Sequence, residues 1–395
     1  MRIRGTRGRS HAAVPGIGIA LAAAGALALP LALEMRIKKP AQPLAEAWKD
    51  VPVKPRGTTL LGISFRTPQV EAFGLEGPAI LQRLLAYPFQ LIRLGAYWGR
   101  IESQAGEFNT SELDWQIEAA ERASKQIILA VGAVKTFGYP EFFVPRHWLE
   151  QPLREGSLVQ PAANAGLLSG ATQFITRIVT RYRDRGSIVG WQLEHEAVDP
   201  LGVEHTWRLG NQFVEMELEA LRIADPSRPV MMNGFLPTSS PVRLLQWWRT
   251  RDQGDSLEVA ARLADIVGID YYPRHALMSL GPRTLYLAGA DLPWQAALRA
   301  RLFESIRSRG KRLMVCEGQA EPWETTTTPP NPERKAMYSC PPEQLVRNYN
   351  AAIEWSRPDH PICAYLFWGA EYWMLRDKCG DPTYLKAFAR VLDKA

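Results

Sequence analysis

Eight short apolar runs alternate with amphipathic segments along most of the chain, and this alternation limits the possible folds more than any other feature. The runs lie at 59–65, 89–95, 126–132, 188–194, 228–234, 265–272, 311–318 and 362–369. Between them, apolar residues recur every three or four positions, as in 111–125, 211–224 and 342–355, which predicts helices. Strands that are almost continuously apolar are typical of a parallel sheet covered on both faces. Eight strand–helix units therefore predict an α/β fold, a closed (β/α)8 barrel.

The barrel is expected to occupy residues 58–395 as one domain. A doubly wound open sheet is the alternative arrangement of such units. That fold usually binds a nucleotide through a glycine-rich turn after its first strand, and no such sequence follows 59–65. The closed barrel is therefore favoured.

The N-terminal region predicts a membrane anchor. Residues 1–11 contain four arginines and no acidic residue, and residues 12–33 are uncharged and apolar over a length that can span a bilayer as a helix. The arginines favour a cytoplasmic N-terminus and an exported body. Ala26-Leu27-Ala28 could serve as a cleavage site, so a secreted protein stays open. Residues 34–57 are polar and proline-bearing, which favours a linker.

The distribution of charge argues against a nucleic-acid partner. Residues 1–40 hold seven of the 47 Lys and Arg residues and one of the 41 acidic residues, so the remainder is balanced. The cysteines show no metal-binding spacing. Cys316 and Cys363 lie in apolar runs, where buried thiols are common, and a disulfide between Cys340 and Cys379 stays open.

Polar and aromatic residues collect at the ends of the runs, where (β/α)8 enzymes place their chemistry. They are Arg93 in the second run, Glu194, His195 and Glu196 at the fourth, Asp270, Tyr271 and Tyr272 at the sixth, Glu317 at the seventh and Trp368 at the eighth. No serine or cysteine nucleophile has a histidine partner there, and no metal or organic cofactor is expected.

Two carboxyl groups among aromatic rings indicate glycosidic bond cleavage. Sugars stack their apolar ring faces on aromatic side chains, and cleavage needs one acid and one carboxylate. Glu196 and Glu317 follow the fourth and seventh runs, which share one wall of an eight-stranded barrel. A separation of about 5 Å, as retaining hydrolysis requires, is feasible there.

Several of these stretches resemble clan A glycoside hydrolases, and the likeness extends over roughly residues 58–390. The matching stretches are WQLEHE (191–196), which resembles the WQxENE signature of β-galactosidase-like members, RLGAYWGRIE (93–102), DIVGIDYYP (265–273), LMVCEGQAEPW (313–323) and YLFWG (365–369). The resemblance implies a retaining enzyme with Glu196 as acid/base and Glu317 as nucleophile.

The same resemblance implies the substrate-binding residues. Arg93 and Tyr272 would hold the nucleophile, with Tyr271 as the competing choice for the tyrosine. Trp368 would lie beneath the reacting sugar, and Trp98 is a second candidate for stacking on the substrate.

His195 departs from the clan pattern, because relatives carry asparagine there to bind the sugar 2-hydroxyl. The β-mannanase branch also has histidine at this position, so the exchange is compatible with activity, but it leaves the sugar open. Strand alternation would point His195 away from Glu196, and both reach the substrate only if a bulge or turn re-aims them. Glu194 is expected to lie deeper as the buried partner of a basic group such as Arg93.

Three other functions stay open. A transglycosylase or exopolysaccharide-processing enzyme would use the same glutamate pair, and a non-catalytic barrel would bind carbohydrate through the aromatic residues. An aldolase or sugar-phosphate isomerase would need a strand-end lysine or a phosphate loop, and Lys135 is the nearest candidate. The expected partner is an oligosaccharide or polysaccharide.

Overall fold

The computed structural model describes residues 32–138, 141–149, 151–199, 207–236, 239–250, 253–288, 292–324 and 335–395. The predicted basic region 1–11 and almost all of the predicted anchor 12–33 lie outside the described residues. Within these ranges, no helix is both long enough and apolar enough to cross a bilayer.

The described residues form fifteen strands. In chain order they are β1 (Met35–Lys38), β2 (Ala41–Pro43), β3 (Leu60–Ser64), β4 (Leu91–Gly95), β5 (Gln126–Ala130), β6 (Leu158–Val159), β7 (Ile188–Gln192), β8 (Arg208–Leu209), β9 (Val230–Phe235), β10 (Ile266–Tyr271), β11 (Arg274–Leu280), β12 (Arg283–Ala288), β13 (Arg312–Gln319), β14 (Lys335–Met337) and β15 (Ile362–Trp368).

Twelve α-helices lie in the same described part of the chain. They are α1 (Thr67–Ala72), α2 (Gly77–Leu85), α3 (Trp98–Ile101), α4 (Ser111–Arg122), α5 (Ala165–Tyr182), α6 (Asn211–Ala224), α7 (Ser240–Thr250), α8 (Ser256–Leu263), α9 (Pro293–Ser308), α10 (Pro342–Ile353), α11 (Ala370–Lys378) and α12 (Thr383–Lys394).

Eight parallel strands close into a barrel in the order β10-β13-β15-β3-β4-β5-β7-β9. Each of the eight predicted apolar runs overlaps one of these strands, so the predicted (β/α)8 barrel is confirmed. The open-sheet alternative is wrong, because β9 and β10 pair in parallel and close the ring.

Two apolar layers hold the barrel together. Inside the barrel, side chains such as Leu91, Met231 and Leu366 pack into one cluster that fills the lower interior. Outside, the amphipathic helices cover the strands, as α6 does with Phe213 and Leu221. Because the interior is filled with apolar side chains, polar groups are concentrated at the C-terminal ends of the strands.

Residues 34–57 differ from the linker that we expected, because they pack against the barrel. The buried Glu34 carboxylate accepts hydrogen bonds from Ser239 Oγ at 2.6 Å and from Trp294 Nε1 and Gln295 Nε2 at 3.2 Å each. Trp48 is buried in the main apolar cluster. β1 pairs with β12, and β2 with β14, through backbone bonds that depend little on side-chain composition.

A hairpin lay outside the predicted pattern, and the disulfide that the sequence left open is not formed. The hairpin of β11 and β12 is inserted between the sixth barrel strand and α9, and it joins β1 in a three-stranded sheet. Cys340 and Cys379 are both free thiols in this structure, the first buried and the second exposed.

Candidate active site

The turn after β7 places the first group of predicted site residues. Glu194 and Glu196 have positive φ angles of 42° and 44°, a left-handed conformation that costs energy for residues other than glycine. The N–H of His195 donates to the Lys135 carbonyl at 2.8 Å. The turn that we expected to re-aim these side chains is therefore present, and it directs the His195 ring into the barrel mouth.

Glu317 on β13 is the centre of the contacts at the mouth. Its carboxylate accepts hydrogen bonds from Arg93 Nη2 at 2.7 Å and from Tyr272 Oη at 2.7 Å. His195 Nε2 lies 3.0 Å from the oxygen that Arg93 contacts. Residues at the ends of four barrel strands thus converge on one buried carboxylate. Tyr271 points elsewhere and packs against Trp355 with ring centroids 4.6 Å apart.

The charges around Glu317 keep it ionised. Burial acts to raise its pKa, but the neighbouring His195 and Arg93 cations outweigh burial and lower the pKa to about 2. The effect is reciprocal: burial acts to lower the pKa of His195, and the Glu317 carboxylate raises it overall. At neutral pH this carboxylate is a fixed, oriented anion.

The pKa of Glu196 is shifted in the opposite direction to that of Glu317. Burial, followed by the charges of Asp270 and Asp199, raises the pKa of the Glu196 carboxyl well above its usual range. Lys135 Nζ donates to the backbone carbonyls of Glu196 at 2.8 Å and Asp199 at 3.0 Å, which fastens the turn. The pKa values of Glu196 and Glu317 are therefore shifted in opposite directions.

A chain of polar side chains beneath Glu317 was missed by the sequence reasoning. Arg93 Nη1 donates to Gln192 Oε1 at 3.2 Å, Gln192 Nε2 to Asn233 Oδ1 at 3.0 Å, and Asn233 Nδ2 to Asp270 Oδ2 at 2.6 Å. Burial and the charge of Glu317 raise the pKa of Asp270 to about 6. Asp270 could be found as a strand-end acid, whereas Gln192 and Asn233 carry no signal beyond polarity within an apolar run.

His195, Asp270 and Glu317 offer ligand atoms within 4.8 Å of one another, a spacing that could hold a metal ion. Both Asp270 oxygens already accept hydrogen bonds from the protein, Oδ2 from Asn233 Nδ2 and Oδ1 from Cys316 Sγ at 2.9 Å. A cation there would also meet the Arg93 guanidinium at Glu317. The arrangement therefore fits an ionic network better than a metal centre.

The expected pairing of Glu194 with Arg93 is wrong. The Glu194 carboxylate instead accepts hydrogen bonds from the backbone N–H groups of Val134 at 2.9 Å and Lys135 at 2.5 Å. The left-handed turn carries the side chain away from the barrel interior, where Arg93 lies. Glu194 contacts Glu217 of α6, and no N–H or O–H donor among the described residues reaches either Glu217 oxygen. Burial and the neighbouring Glu194 charge therefore both favour the protonated form of Glu217.

This pair gives a prediction for stability. Burial and the Glu194 charge raise the pKa of Glu217 well above its usual range, whereas an unfolded glutamate titrates near pH 4.3. Above that pH the unfolded chain loses a proton that the folded chain keeps, so the free energy of unfolding falls by up to about 1.4 kcal/mol per pH unit. Glu217→Gln should make this decline less steep, as measured by urea unfolding between pH 5 and 8, and the raised pKa values of Glu196 and Asp270 account for the remainder.

The matched control for this prediction is Glu219→Gln, which changes an exposed carboxyl on the same helix. It should keep the pH dependence of the unmodified protein. An unchanged slope in Glu217→Gln would contradict a raised pKa of Glu217 in the folded protein.

Trp98 does not lie at the mouth, so its expected contact with the substrate is wrong. Its ring is fully buried, stacks on Phe174 with centroids 5.6 Å apart, and donates from Nε1 to Glu102 Oε2 at 2.8 Å. Trp98 begins α3, and its ring contacts Phe174 of α5. From the sequence alone, a tryptophan that follows a strand into the cleft cannot be distinguished from one that follows a strand into the core.

Trp368 lies at the mouth, as expected. Its ring is close to Phe137, and the two pack in an apolar cluster that also contains Tyr272 and Phe235. The guanidinium groups of Arg66 and Arg93 lie 4.1 and 5.3 Å from its ring centroid. The Trp368 ring is 6% exposed, and these contacts hold it in a fixed position.

Arg66 was another omission of the sequence reasoning, although it follows the first run directly. It is fully buried and donates to Glu321 through two nitrogens at 3.0 Å each. It also donates to Glu371 Oε2, at 2.6 Å from Nη2. The group joins the ends of three barrel strands beneath Trp368.

Arg66→Met should lower the free energy of unfolding by about 3–5 kcal/mol, because it leaves two buried carboxylates without a counter-charge. Chemical denaturation at neutral pH measures this loss. The control is Arg83→Met, which removes the exposed ion pair with Asp377 and should cost no more than about 1 kcal/mol. Equal losses in the two variants would contradict the structural role assigned to Arg66.

No family model matches the chain, and no curated protein sequence matches it. Its structure is similar to GH5_18 from Streptomyces cattleya in complex with GlcNAc, with 14% identity, 86% of this chain and 81% of that chain covered, and a TM-score of 0.54. It is similar to xylanase 10B from Thermotoga petrophila RKU-1 in complex with xylobiose, with 14% identity, coverage of 87% and 98%, and a TM-score of 0.50. At this identity the two matches show a shared fold.

A third match is a β-galactosidase from Bacillus circulans sp. alkalophilus. Its identity is 14% and its TM-score 0.46, and the match covers 78% of this chain. The chain spans only 50% of the length of that protein.

Proposed function

We propose that the protein is a retaining β-glycoside hydrolase that acts on an oligosaccharide or polysaccharide. The observation that carries this proposal is the environment of Glu317, whose carboxylate is bound by Arg93 and Tyr272. The pKa of Glu196, in the turn after β7, is shifted in the opposite direction. Glu317 is held ionised by cationic and hydroxyl donors, and burial with the charges of Asp270 and Asp199 raises the pKa of Glu196, which favours its protonated form. That difference is what a nucleophile and a general acid require.

In the first step, a Glu317 oxygen attacks the anomeric carbon while the bond to the leaving oxygen breaks. Glu196 donates its proton to that oxygen, so the departing alcohol is neutral. Arg93 and Tyr272 hold the Glu317 carboxylate in a single orientation through their bonds of 2.7 Å each. A glycosyl–enzyme ester results, with inverted configuration.

In the second step, Glu196 acts as a base. Its carboxylate takes a proton from water, the water oxygen attacks the anomeric carbon, and Glu317 leaves as a carboxylate. The second inversion restores the original configuration. Loss of the first product removes the alcohol and admits the water, and Glu196 ends the cycle protonated.

Two features support a carbohydrate as substrate. Trp368 offers an aromatic face at the mouth, and the ring of Trp323 is partly exposed beside Tyr272, with centroids 5.2 Å apart. The similar structures hold GlcNAc and xylobiose, which are both sugars. His195, at the position that would meet the sugar 2-hydroxyl, is the residue from which we expect the choice among sugars.

The proposal is tested by incubating the full chain with a panel of aryl β-glycosides and β-linked polysaccharides. Proton NMR of the first product anomer should show retention. Inverted products, or binding of glycans without turnover by the purified chain, would overturn it. Products longer than the substrate would indicate that a sugar acceptor competes with water, as in a transglycosylase.

A further inference from the structure

A chain of hydrogen bonds crosses the inside of the barrel beneath the candidate nucleophile. Arg93 lies at one end and Asp270 at the other, and the amide side chains of Gln192 and Asn233 link them. We call these four side chains the relay. They come from β4, β7, β9 and β10, and all are buried. The polar groups of the two amides are therefore almost completely shielded from water and depend on their neighbours in the relay for hydrogen bonds.

The two ends of the relay give it a direction. A guanidinium group can only donate hydrogen bonds, and Asp270, which is a carboxylate above its pKa of about 6, can only accept them. An amide can do both, and it presents its oxygen or its nitrogen according to how the side chain is turned. Between such ends only one arrangement satisfies both amides. Gln192 Oε1 faces Arg93 at 3.2 Å, and Asn233 Nδ2 faces Asp270 at 2.6 Å.

A second donor holds the Asp270 carboxylate in place. Cys316 Sγ donates to Oδ1 at 2.9 Å, while Asn233 Nδ2 donates to Oδ2. Cys316 directly precedes Glu317 on β13, and Asp270 lies opposite Glu317 in the register of β10 and β13. Because both of its oxygens accept a hydrogen bond, the Asp270 side chain cannot turn without breaking one of them.

The other end of the relay fixes the group that orients the candidate nucleophile. Arg93 donates from Nε to Ser64 Oγ at 2.9 Å, from Nη1 to Gln192 Oε1 and from Nη2 to Glu317 Oε1 at 2.7 Å. All three nitrogens of one planar guanidinium are used, so the three acceptors set its orientation together. If the Gln192 amide were turned, its nitrogen would face Nη1, and two buried donors would lack an acceptor. The alignment of Arg93 on Glu317 therefore depends on which way Gln192 is turned.

We propose that Asp270 is a positioning residue, which fixes the direction of the relay and thereby keeps Arg93 aligned on Glu317. It acts through the two amides and not on the substrate. This role is separate from the effect of the Asp270 charge on Glu196, because it depends on the direction of hydrogen bonds. Its consequence for the reaction rate rests on the proposed function, whereas the alignment of Arg93 does not.

Asp270→Asn tests the proposal, because an asparagine can present either its oxygen or its nitrogen to Asn233, and the direction is no longer fixed. The measurement is kcat/KM for a dinitrophenyl glycoside above about pH 7, since cleavage of that leaving group needs Glu317 but little help from Glu196. We expect a loss of about 10-fold, because the reversed order leaves buried donors unpaired beside the guanidinium. Full kcat/KM in a folded Asp270→Asn protein overturns the proposal.

A second substitution should restore the direction. In Asp270→Asn/Asn233→Asp, the amide at position 270 donates to the carboxylate at position 233, which accepts from Gln192 Nε2 and leaves Gln192 Oε1 facing Arg93. We expect kcat/KM to return to within about threefold of the unmodified value, because the two changes compensate each other. A folded double variant that is no better than Asp270→Asn overturns the proposal. The matched control is Asp225→Asn, a buried carboxyl between α6 and β9, which should lower stability and keep kcat/KM.

NMR of the Arg93 side chain distinguishes this proposal from the proposed function, because it needs no substrate. The Nε–H signal, assigned as the one that Arg93→Lys lacks, should exchange slowly with water, since it is buried and bonded to Ser64. In Asp270→Asn we expect this exchange to be at least about 10-fold faster, and the double variant should slow it again. Unchanged exchange in Asp270→Asn overturns the positioning role even if glycosides are cleaved. Faster exchange in a protein that cleaves no glycoside supports the alignment and counts against the proposed function alone.

Discussion

Replacing Glu317 by alanine is expected to lower kcat/KM on any substrate of the protein by at least about 10⁴-fold, because the covalent intermediate can no longer form. The loss should be similar for substrates with good and poor leaving groups, since both need the nucleophile. Added azide should occupy the vacated space and attack the anomeric carbon directly. The product would then be a glycosyl azide of inverted configuration, identified by NMR.

Two controls separate chemistry from folding. Glu317 has a depressed pKa in the folded state, so it stabilises the fold above the unfolded pKa, and its loss also leaves Arg93 and His195 without their anion. The thermal midpoint of each variant therefore has to be measured with its kinetics. Glu102→Gln changes another buried carboxyl that accepts from Trp98, away from the mouth, and should keep most activity. Full activity of a folded Glu317→Ala protein would disprove the assignment.

The barrel could be predicted because its signal is repeated. Each strand must bury both faces, so each appears as an apolar run, and eight runs of this kind leave few arrangements. The segment 34–57 has no such repetition. Its strands pair at sheet edges through backbone groups, and only Trp48 indicates packing against the body.

Residues of the candidate site could be predicted only where a charged or polar side chain follows the end of a predicted strand. Arg93, Tyr272 and Glu317 stood out because charged and phenolic groups are unusual at the end of a buried strand, and the family resemblance chose Tyr272 over Tyr271. Trp98 was misplaced because an aromatic side chain is equally common in cores and in clefts. The partner of Glu194 could not be derived, since it depends on a left-handed turn at a residue that is not glycine.

Replacing Glu196 by glutamine should affect substrates according to their leaving groups. Glycosides of poor leaving groups need a proton in the first step, and their kcat/KM should fall by about 10²–10⁴-fold. A dinitrophenyl glycoside needs little assistance and should keep most of its kcat/KM. Its second step would still be slow, because water lacks a base, so an early burst of dinitrophenol is expected in stopped-flow absorbance measurements. Azide should speed that step and give a product of retained configuration, opposite to the product from Glu317→Ala.

The pH dependence gives an independent check of the same residue. Burial and the charges of Asp270 and Asp199 raise the pKa of Glu196, so the acid form persists to a higher pH than in a free glutamate, and kcat/KM should fall as pH rises through that raised value. This alkaline limb should disappear in Glu196→Gln. The matched control is Glu194→Gln, two residues earlier in the same turn, whose carboxylate bonds the N–H groups of Val134 and Lys135. It should lower stability while keeping both the leaving-group dependence and the alkaline limb. If Glu194→Gln abolished the limb and Glu196→Gln preserved it, the acid would be the deeper carboxyl, and the left-handed turn would serve to present Glu194 instead.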